Sequence, residues 1–284
     1  MGVEVELPHF NLMELNRDTK ALWMAIYNNR QTQMGNTATI VNFGDEKNAG
    51  LVTASTFSGA RFHSSGLAPT WTPNEALSAF DTPFTLGAPS AWQELVPILT
   101  LNGTDEEMDS PDAAYWSSTL DAFSIGAWVK ATDATSSAIM SKYTTAGDLR
   151  EWVFWLNASD KLQLILYDED DATTPNASLD SEADAVLSED TWVFVVATYD
   201  GSANASGINI YQDGALVAST DTDDANFTSG RDTTAVVELG MSNGASFFDG
   251  QIAGGPCGPF FVQAELTAEQ VANLFRVERL ALGV

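Results

Sequence analysis

Trp192-Val193-Phe194-Val195-Val196-Ala197-Thr198-Tyr199 carries apolar side chains at odd and even positions alike. Neighbouring residues of a strand point to opposite faces, so a run apolar on both faces predicts a strand covered on both. Around it lie other β-rich runs. Phe123, Ile125, Ala127 and Val129 alternate on one face of a strand, with Trp128 on the other. Residues 151–156 (EWVFWL) and 162–167 (LQLILY) flank Asn157-Ala158-Ser159-Asp160, a loop of hairpin length. Residues 208–212 and 215–219 flank Asp213-Gly214, whose glycine tolerates the positive φ of a primed turn. Residues 236–241 and 260–263 supply further strands. One helix closes the chain: Thr267 and Gln270 have capping-box spacing, and Val271, Leu274 and Phe275 form an apolar stripe. Many strands without βα alternation predict an all-β antiparallel sandwich.

The first 94 residues read differently. Residues 11–30 predict a helix, with Leu15, Leu22, Trp23, Ile26 and Tyr27 at roughly helical spacing, and residues 37–43 a strand. Residues 52–94 are rich in Gly, Pro, Ser and Thr, with isolated aromatics such as Phe57, Trp71 and Trp92. Such a segment drapes over a partner or over its own sandwich, with the aromatics as anchors. The expected organisation is therefore an assembly or attachment extension over 1–94 and a sandwich domain over 95–284.

Composition narrows the function classes. Twelve Lys and Arg against 39 Asp and Glu give a formal charge of −27, which repels phosphate backbones and anionic headgroups. Neither nucleic-acid binding nor membrane insertion is expected. The balance suits a protein of concentrated salt, or an acidic marine or phage protein. The 44% apolar fraction supports a full core. A lone cysteine, Cys257, precludes an internal disulfide and reads as a small packed residue. His9 and His63 both lie in the extension, so a His-based metal cluster or Ser-His triad in the sandwich is excluded. The start of the chain shows no basic and apolar signal pattern, and no run reaches transmembrane length.

Leu101-Asn102-Gly103-Thr104-Asp105-Glu106, followed by Phe123-Ser124-Ile125-Gly126-Ala127-Trp128-Val129, resembles the opening of a laminin-G-like, concanavalin A-like jelly-roll domain. Residues 192–201 resemble its central strand, 208–217 the hairpin that follows, and 248–252 with 266–271 its ending. The resemblance covers about residues 95–284 in the family's order. It implies a jelly-roll β-sandwich of the kind found in lectins, glycanases, adhesion modules and virion proteins of tailed viruses. Two departures stand out. Where relatives carry a calcium-ligating acid, this chain has Ala253-Gly254-Gly255-Pro256-Cys257-Gly258-Pro259. The glycanases' Glu-x-Asp-x-x-Glu strand is not found; Glu182 and Asp184 have its first spacing, but their segment reads as a loop.

The remaining candidates are aromatic and acidic. Trp152 and Trp155 lie on opposite faces of one strand, so one of them faces away from the core and is a candidate sugar platform, unless a neighbour covers it. Tyr115 and Trp116, between strands, are the other candidates, against packing beneath a loop. Asp168-Glu169-Asp170-Asp171 reads as a solvated loop or a calcium ligand set. Asp221, Asp223 and Asp224 fail the EF-hand pattern because Asn226 stands where glycine is required. Five Asn-x-Ser/Thr sequons, at Asn102, Asn157, Asn176, Asn204 and Asn226, read as chance. No cofactor is expected, with calcium left open.

These features point to a non-catalytic virion protein, a head decoration, fibre or tail component of a tailed virus made in the host cytoplasm. Its expected partners are other virion proteins, copies of itself and host-surface glycans. The alternative is a carbohydrate-binding lectin, and after it a glycoside hydrolase.

Overall fold

The computed structural model describes residues 25, 26, 28–30, 32–34, 96, 98–117, 119, 121–168, 177–254 and 257–284, together with the backbone of four strands between residues 38 and 73. In chain order the strands are β1 (Ala38–Asn42), β2 (Val52–Ser58), β3 (Arg61–His63), β4 (Thr70–Pro73), β5 (Ile98–Asn102), β6 (Met108–Ser110), β7 (Phe123–Asp133), β8 (Ser137–Lys142) and β9 (Trp152–Leu156). They continue as β10 (Lys161–Asp168), β11 (Ala177–Val186), β12 (Val193–Tyr199), β13 (Ile208–Gln212), β14 (Ala215–Leu216), β15 (Ser219–Asp223), β16 (Val237–Leu239), β17 (Asp249–Ala253) and β18 (Phe260–Val262). A helix, Ala268–Leu282, follows. Every pairing is antiparallel, and the strands form two sheets, as expected of an all-β sandwich.

The first sheet is built on β7. Its first seven residues pair with β12, from Tyr199↔Phe123 to Val193↔Val129. Its other edge is shared: β18 takes the first half and β17 the second. From β12 the sheet runs to β13 and β14; from β18 it runs to β1, β2 and β3. The second sheet runs β15-β11-β10-β9-β8-β16-β6-β4. Residues 37–43 thus contain the expected strand, and the N-terminal segment adds strands to both sheets.

The alternation read from the sequence is the alternation of the core. Phe123, Ile125, Ala127 and Val129 of β7, and Val193, Val195 and Ala197 of β12, pack between the sheets with Trp152, Phe154 and Leu164 of the second sheet. Trp128, Phe194 and Val196 point the other way into a second cluster, beneath Val271, Leu274 and Ala281 of the helix. The helix therefore lies on the outer face of the first sheet. That is why β12 is apolar on both sides. Thr267 and Gln270 form the expected reciprocal capping box.

Two glycines are required by the backbone. Asp213 and Gly214 adopt φ of 49° and 77°, the two positive angles of a type I′ turn. Gly250 has φ 147°, where β17 bulges against β7, and a Cβ there would meet Lys130 O at 2.3 Å.

Of the predicted N-terminal helix, residues 25, 26 and 28–30 are helical and 32–34 continue it; residues 11–24 lie outside the described residues. Ile26 and Met34 join the cluster beneath the C-terminal helix. Arg30, 1% exposed, reaches Glu278, 0% exposed, through Nε–Oε1 at 2.7 Å and Nη2–Oε2 at 2.9 Å. Its Nη1 donates to Gly258 O at 2.7 Å, and the guanidinium lies 5.4 Å from the Phe260 ring centre. Trp128 Nε1 donates to Glu278 Oε2 at 2.9 Å. Every charged atom of this buried pair is therefore matched, the condition under which such a pair is tolerated. Cys257 packs in the same cluster, and burial pushes its thiol well up.

Candidate functional site

The helix occupies the outer face of the first sheet, which directs attention to the outer face of the second. β9 splits its aromatics as alternation demands. Trp152 is 1% exposed, stacks on Phe261 at 5.5 Å between ring centres, and donates from Nε1 to Trp116 O at 2.9 Å. Trp155 is half-buried on the other side, on the outer face. Its Nε1 is buried and has no hydrogen-bond partner among the described residues.

Trp116 is 0% exposed and belongs to the intersheet core, in contact with Tyr115 and Phe261. Neither Trp152 nor Trp116 can stack on a sugar ring arriving from solvent, which corrects the expectation for both. Each satisfies the burial demand of a large aromatic inside the sandwich instead. Tyr115 stands on a single helical turn, Ala114–Trp116, half-buried against the same core. Burial, aided by Asp112, pushes its hydroxyl above the usual tyrosine range. Of the four aromatics, Trp155 is the one on the outer sheet face.

Its surroundings follow from strand register. Trp155 pairs with Gln163 and Val153 with Ile165 across β9 and β10, and Gln163 with Glu182 and Ile165 with Asp180 across β10 and β11. Paired residues share a face. Gln163 Nε2 donates to both carboxylate oxygens of Asp180, at 2.7 and 2.6 Å. Burial raises the Asp180 pKa, with Gln163 opposing and Glu182 and Asp221 reinforcing. Glu182 accepts from Lys161 Nζ at 2.8 Å and Asn157 Nδ2 at 2.6 Å. Residues 182–184 lie on β11 and are not a loop. The sequence hides this strand because its inward residues are small, Ala177, Ser181 and Ala183 with one leucine, and three of its outward ones, Asp180, Glu182 and Asp184, are acids.

At the other end of the same face stands a group that sequence reading missed. Glu107, Asp109 and Glu238 each place one carboxylate oxygen within 4.8 Å of the others. Asp109 and Glu238 are a register pair of β6 and β16. Glu107 and Glu238 are 6% exposed. Burial raises the Glu238 pKa to about 7; the Asn243 N–H and the Ser141 hydroxyl, both donating to Oε2, oppose it, and the charge of Asp109 adds to it. Burial also raises Asp109, against a hydrogen bond with Glu107. Glu107-Met108-Asp109 is an acid–apolar–acid alternation, the signal from which two of the three were legible. Three oxygens are half or fewer of the roughly six to eight that calcium takes.

The remaining acids serve the fold. Buried Lys142 is held by Glu151, by Asp112 at 3.0 Å and by Thr233 O at 2.6 Å, which pins two loops to the end of β8. Asp168 is 0% exposed, and its Oδ2 accepts from Thr228 N, Thr228 Oγ1 and Ser229 N; the rest of its acidic run, 169–171, lies outside the described residues. Asp221 accepts from Ser181, Asp223 from Ala205 N, and Asp224 from Asn226, so each of the three carboxylates is engaged by a different partner.

A family model described as the concanavalin A-like lectin/glucanases superfamily matches residues 102–254, more than half of the chain. No curated protein sequence matches. Among solved structures, the binding domain of botulinum neurotoxin serotype D has a TM-score of 0.53 at 14% identity, over 86% of this chain and 53% of that one. A structure of botulinum neurotoxin type C, whose cell entry is described as dependent on two ganglioside molecules, has a TM-score of 0.55 at 12% identity, over 87% and 52%. The serotype C1 binding domain has a TM-score of 0.52 at 13% identity, over 84% and 51%. The chain thus spans about half the length of the structures it matches, and at these identities the likeness is one of fold. It belongs to the concanavalin A-like lectin/glucanase superfamily, as a jelly-roll β-sandwich with a C-terminal helix on one face.

Proposed function

We propose that this protein is a non-catalytic carbohydrate-binding protein whose contact surface is the outer face of the second sheet. The observation that carries the reading is the half-buried Trp155 indole on that face, flanked in register by Val153 and Gln163 and beyond them by Ile165, Asp180 and Glu182. Aromatic and apolar groups pack against the C–H faces of a sugar ring, and side-chain amides and carboxylates take its hydroxyls. The similar fold of a neurotoxin described by its ganglioside contacts agrees with such a use. Glu107, Asp109 and Glu238 do not argue for hydrolysis. Two of the three side chains are buried, closed to a sugar ring arriving from solvent. A glycan array, with Trp155→Ala beside the parent, tests the reading. Glycan signals lost in the variant support it; no signal from the parent, or release of reducing ends from a polysaccharide, contradicts it.

A second reading places the protein on a virion, bound to other virion proteins and to copies of itself. It is favoured by the charge of −27 and by the way β1 and β4 extend both sheets by strand pairing, the chemistry by which a sheet edge also recruits another chain. Light scattering on the full chain tests the self-association. A mass several times 30.5 kDa agrees, and a monomer at all concentrations contradicts.

A further inference from the structure

We propose that the outer face of the C-terminal helix is a self-association interface, on which a second copy of this chain lays its own helix antiparallel across a two-fold axis. The inference rests on the self-association reading and adds to it the surface and the geometry of the contact.

The exposed ridge sets the geometry. Ala268, Ala272, Arg276 and Leu280 are spaced by four residues and are all exposed, as are Glu269 and Arg279 beside them. Residues four apart line one ridge of a helix, and two such ridges pack along each other. Leu280 is 53% exposed, while Val271, Leu274 and Ala281 fill the cluster on the opposite side of the helix. Leu216, 57% exposed, lies on the same outer face of the first sheet, since its register partner Tyr211 joins the cluster beneath the helix. The ridge is small at its N-terminal end and large at its C-terminal end. A two-fold axis level with residue 274 therefore sets Leu280 against the partner's Ala268, and Arg276 against the partner's Ala272.

Charge sets the occupant. Arg30, Lys142, Arg150 and Lys161 are each ion-paired with an acid of their own chain. Arg276 and Arg279 meet no side-chain carboxylate among the described residues. Arg276 donates to Asn273 Oδ1 at 2.8 Å; Arg279 lies 5.8 Å from the Phe275 ring centre and donates to Val284 O at 3.5 Å. The antiparallel contact brings Glu269 within a helical turn of the partner's Arg276 and Arg279, and symmetry repeats the pairing at the other end. Two chains of charge −27 repel each other through their remaining acids. At ~0.15 M salt the Debye length is ~8 Å, so charges at the contact outweigh distant ones. The helix covers the first sheet, so both Trp155 faces point away from the contact.

Sedimentation equilibrium of the full chain at ~0.15 M salt, over a wide concentration range, tests it. The parent should associate, with a dimer of twice 30.5 kDa as its smallest unit. Leu280→Asp, and separately Arg276→Glu/Arg279→Glu, should each raise the dissociation constant about tenfold or more. Adding Glu269→Arg to the arginine pair should bring it back to within about threefold of the parent. A variant that failed only because its helix was weakened would grow worse with that third change, not recover. A parent that associates with the same constant in Leu280→Asp, or an arginine pair that Glu269→Arg does not rescue, would overturn the inference while leaving self-association intact. A parent monomeric at every concentration would overturn the self-association reading itself, and leave the face to an acidic partner other than this chain.

Discussion

Arg30 and Glu278 stand 248 positions apart in the sequence and close a two-pronged ion pair, at 2.7 and 2.9 Å, beneath the C-terminal helix. Glu278 also receives the indole N–H of Trp128, the outward residue of the central strand β7. The pair joins the N-terminal segment, the closing helix and the first sheet in one buried contact. In this structure the segment before residue 95 is part of what completes the sandwich.

Arg30→Met should destabilise strongly. It leaves Glu278 buried with only the Trp128 N–H, and breaking one partner of a buried pair costs about 3–5 kcal/mol. Urea denaturation followed by tryptophan fluorescence measures it. Arg30→Met/Glu278→Leu should recover part of the loss, less about 1–3 kcal/mol for the orphaned Trp128 N–H. A chain beginning at residue 95 should likewise unfold at markedly lower urea than the full chain.

Trp152→Ala and Trp155→Ala should separate packing from binding. The first empties a core site and should cost about 3–5 kcal/mol. The second truncates a half-buried residue of the outer face and should cost no more than about 1–2 kcal/mol while abolishing glycan binding. Thermal melts of both variants, set beside array signals, check the pair.

Stability should fall as pH rises through neutrality. Glu238 titrates near 4.5 when unfolded and at about 7 when folded, so the native state holds a proton that the unfolded chain releases between those values. The stabilising contribution is complete below 4.5 and lost as pH passes 7. Asp109, Glu151 and Asp180, also raised by burial, act in the same direction. Glu238→Gln should flatten the slope and gain up to about 3 kcal/mol well above pH 7, with little change at the acid end. Urea midpoints measured across the pH range would show it.

Gly250→Ala should destabilise by about 1–3 kcal/mol from backbone strain alone, before its Cβ displaces Lys130 O at the β17–β7 bulge. Gly244→Ala, also at positive φ but with open space around it, supplies the comparison for steric cost.

The central strands were legible because their residues meet two different environments. Trp128 against Ile125 and Ala127, and Phe194 against Val193 and Val195, fix which side of β7 and β12 meets the other sheet and which meets the helix. The Asp213-Gly214 turn and the Thr267 cap were legible because each needs one residue type for a local reason. β11 was not, since its strand character comes from pairing with β10 and β15, and an Ala/Ser/Asp/Glu run carries little of it. Trp116 and Trp152 could not be placed from the sequence, because a neighbouring strand decides which aromatic is covered. The acidic group at Glu107, Asp109 and Glu238 joins two strands some 130 positions apart, a proximity that only register reveals.

The most direct test of the account is fluorine NMR of the protein with its eight tryptophans replaced by 5-fluorotryptophan, titrated with the oligosaccharide that gives the strongest array signal. The Trp155 resonance, assigned by its absence from Trp155→Phe, should shift with ligand while those of Trp116, Trp128 and Trp152 stay in place. A saturating titration that leaves Trp155 unmoved and shifts another indole would contradict the assignment of the binding face.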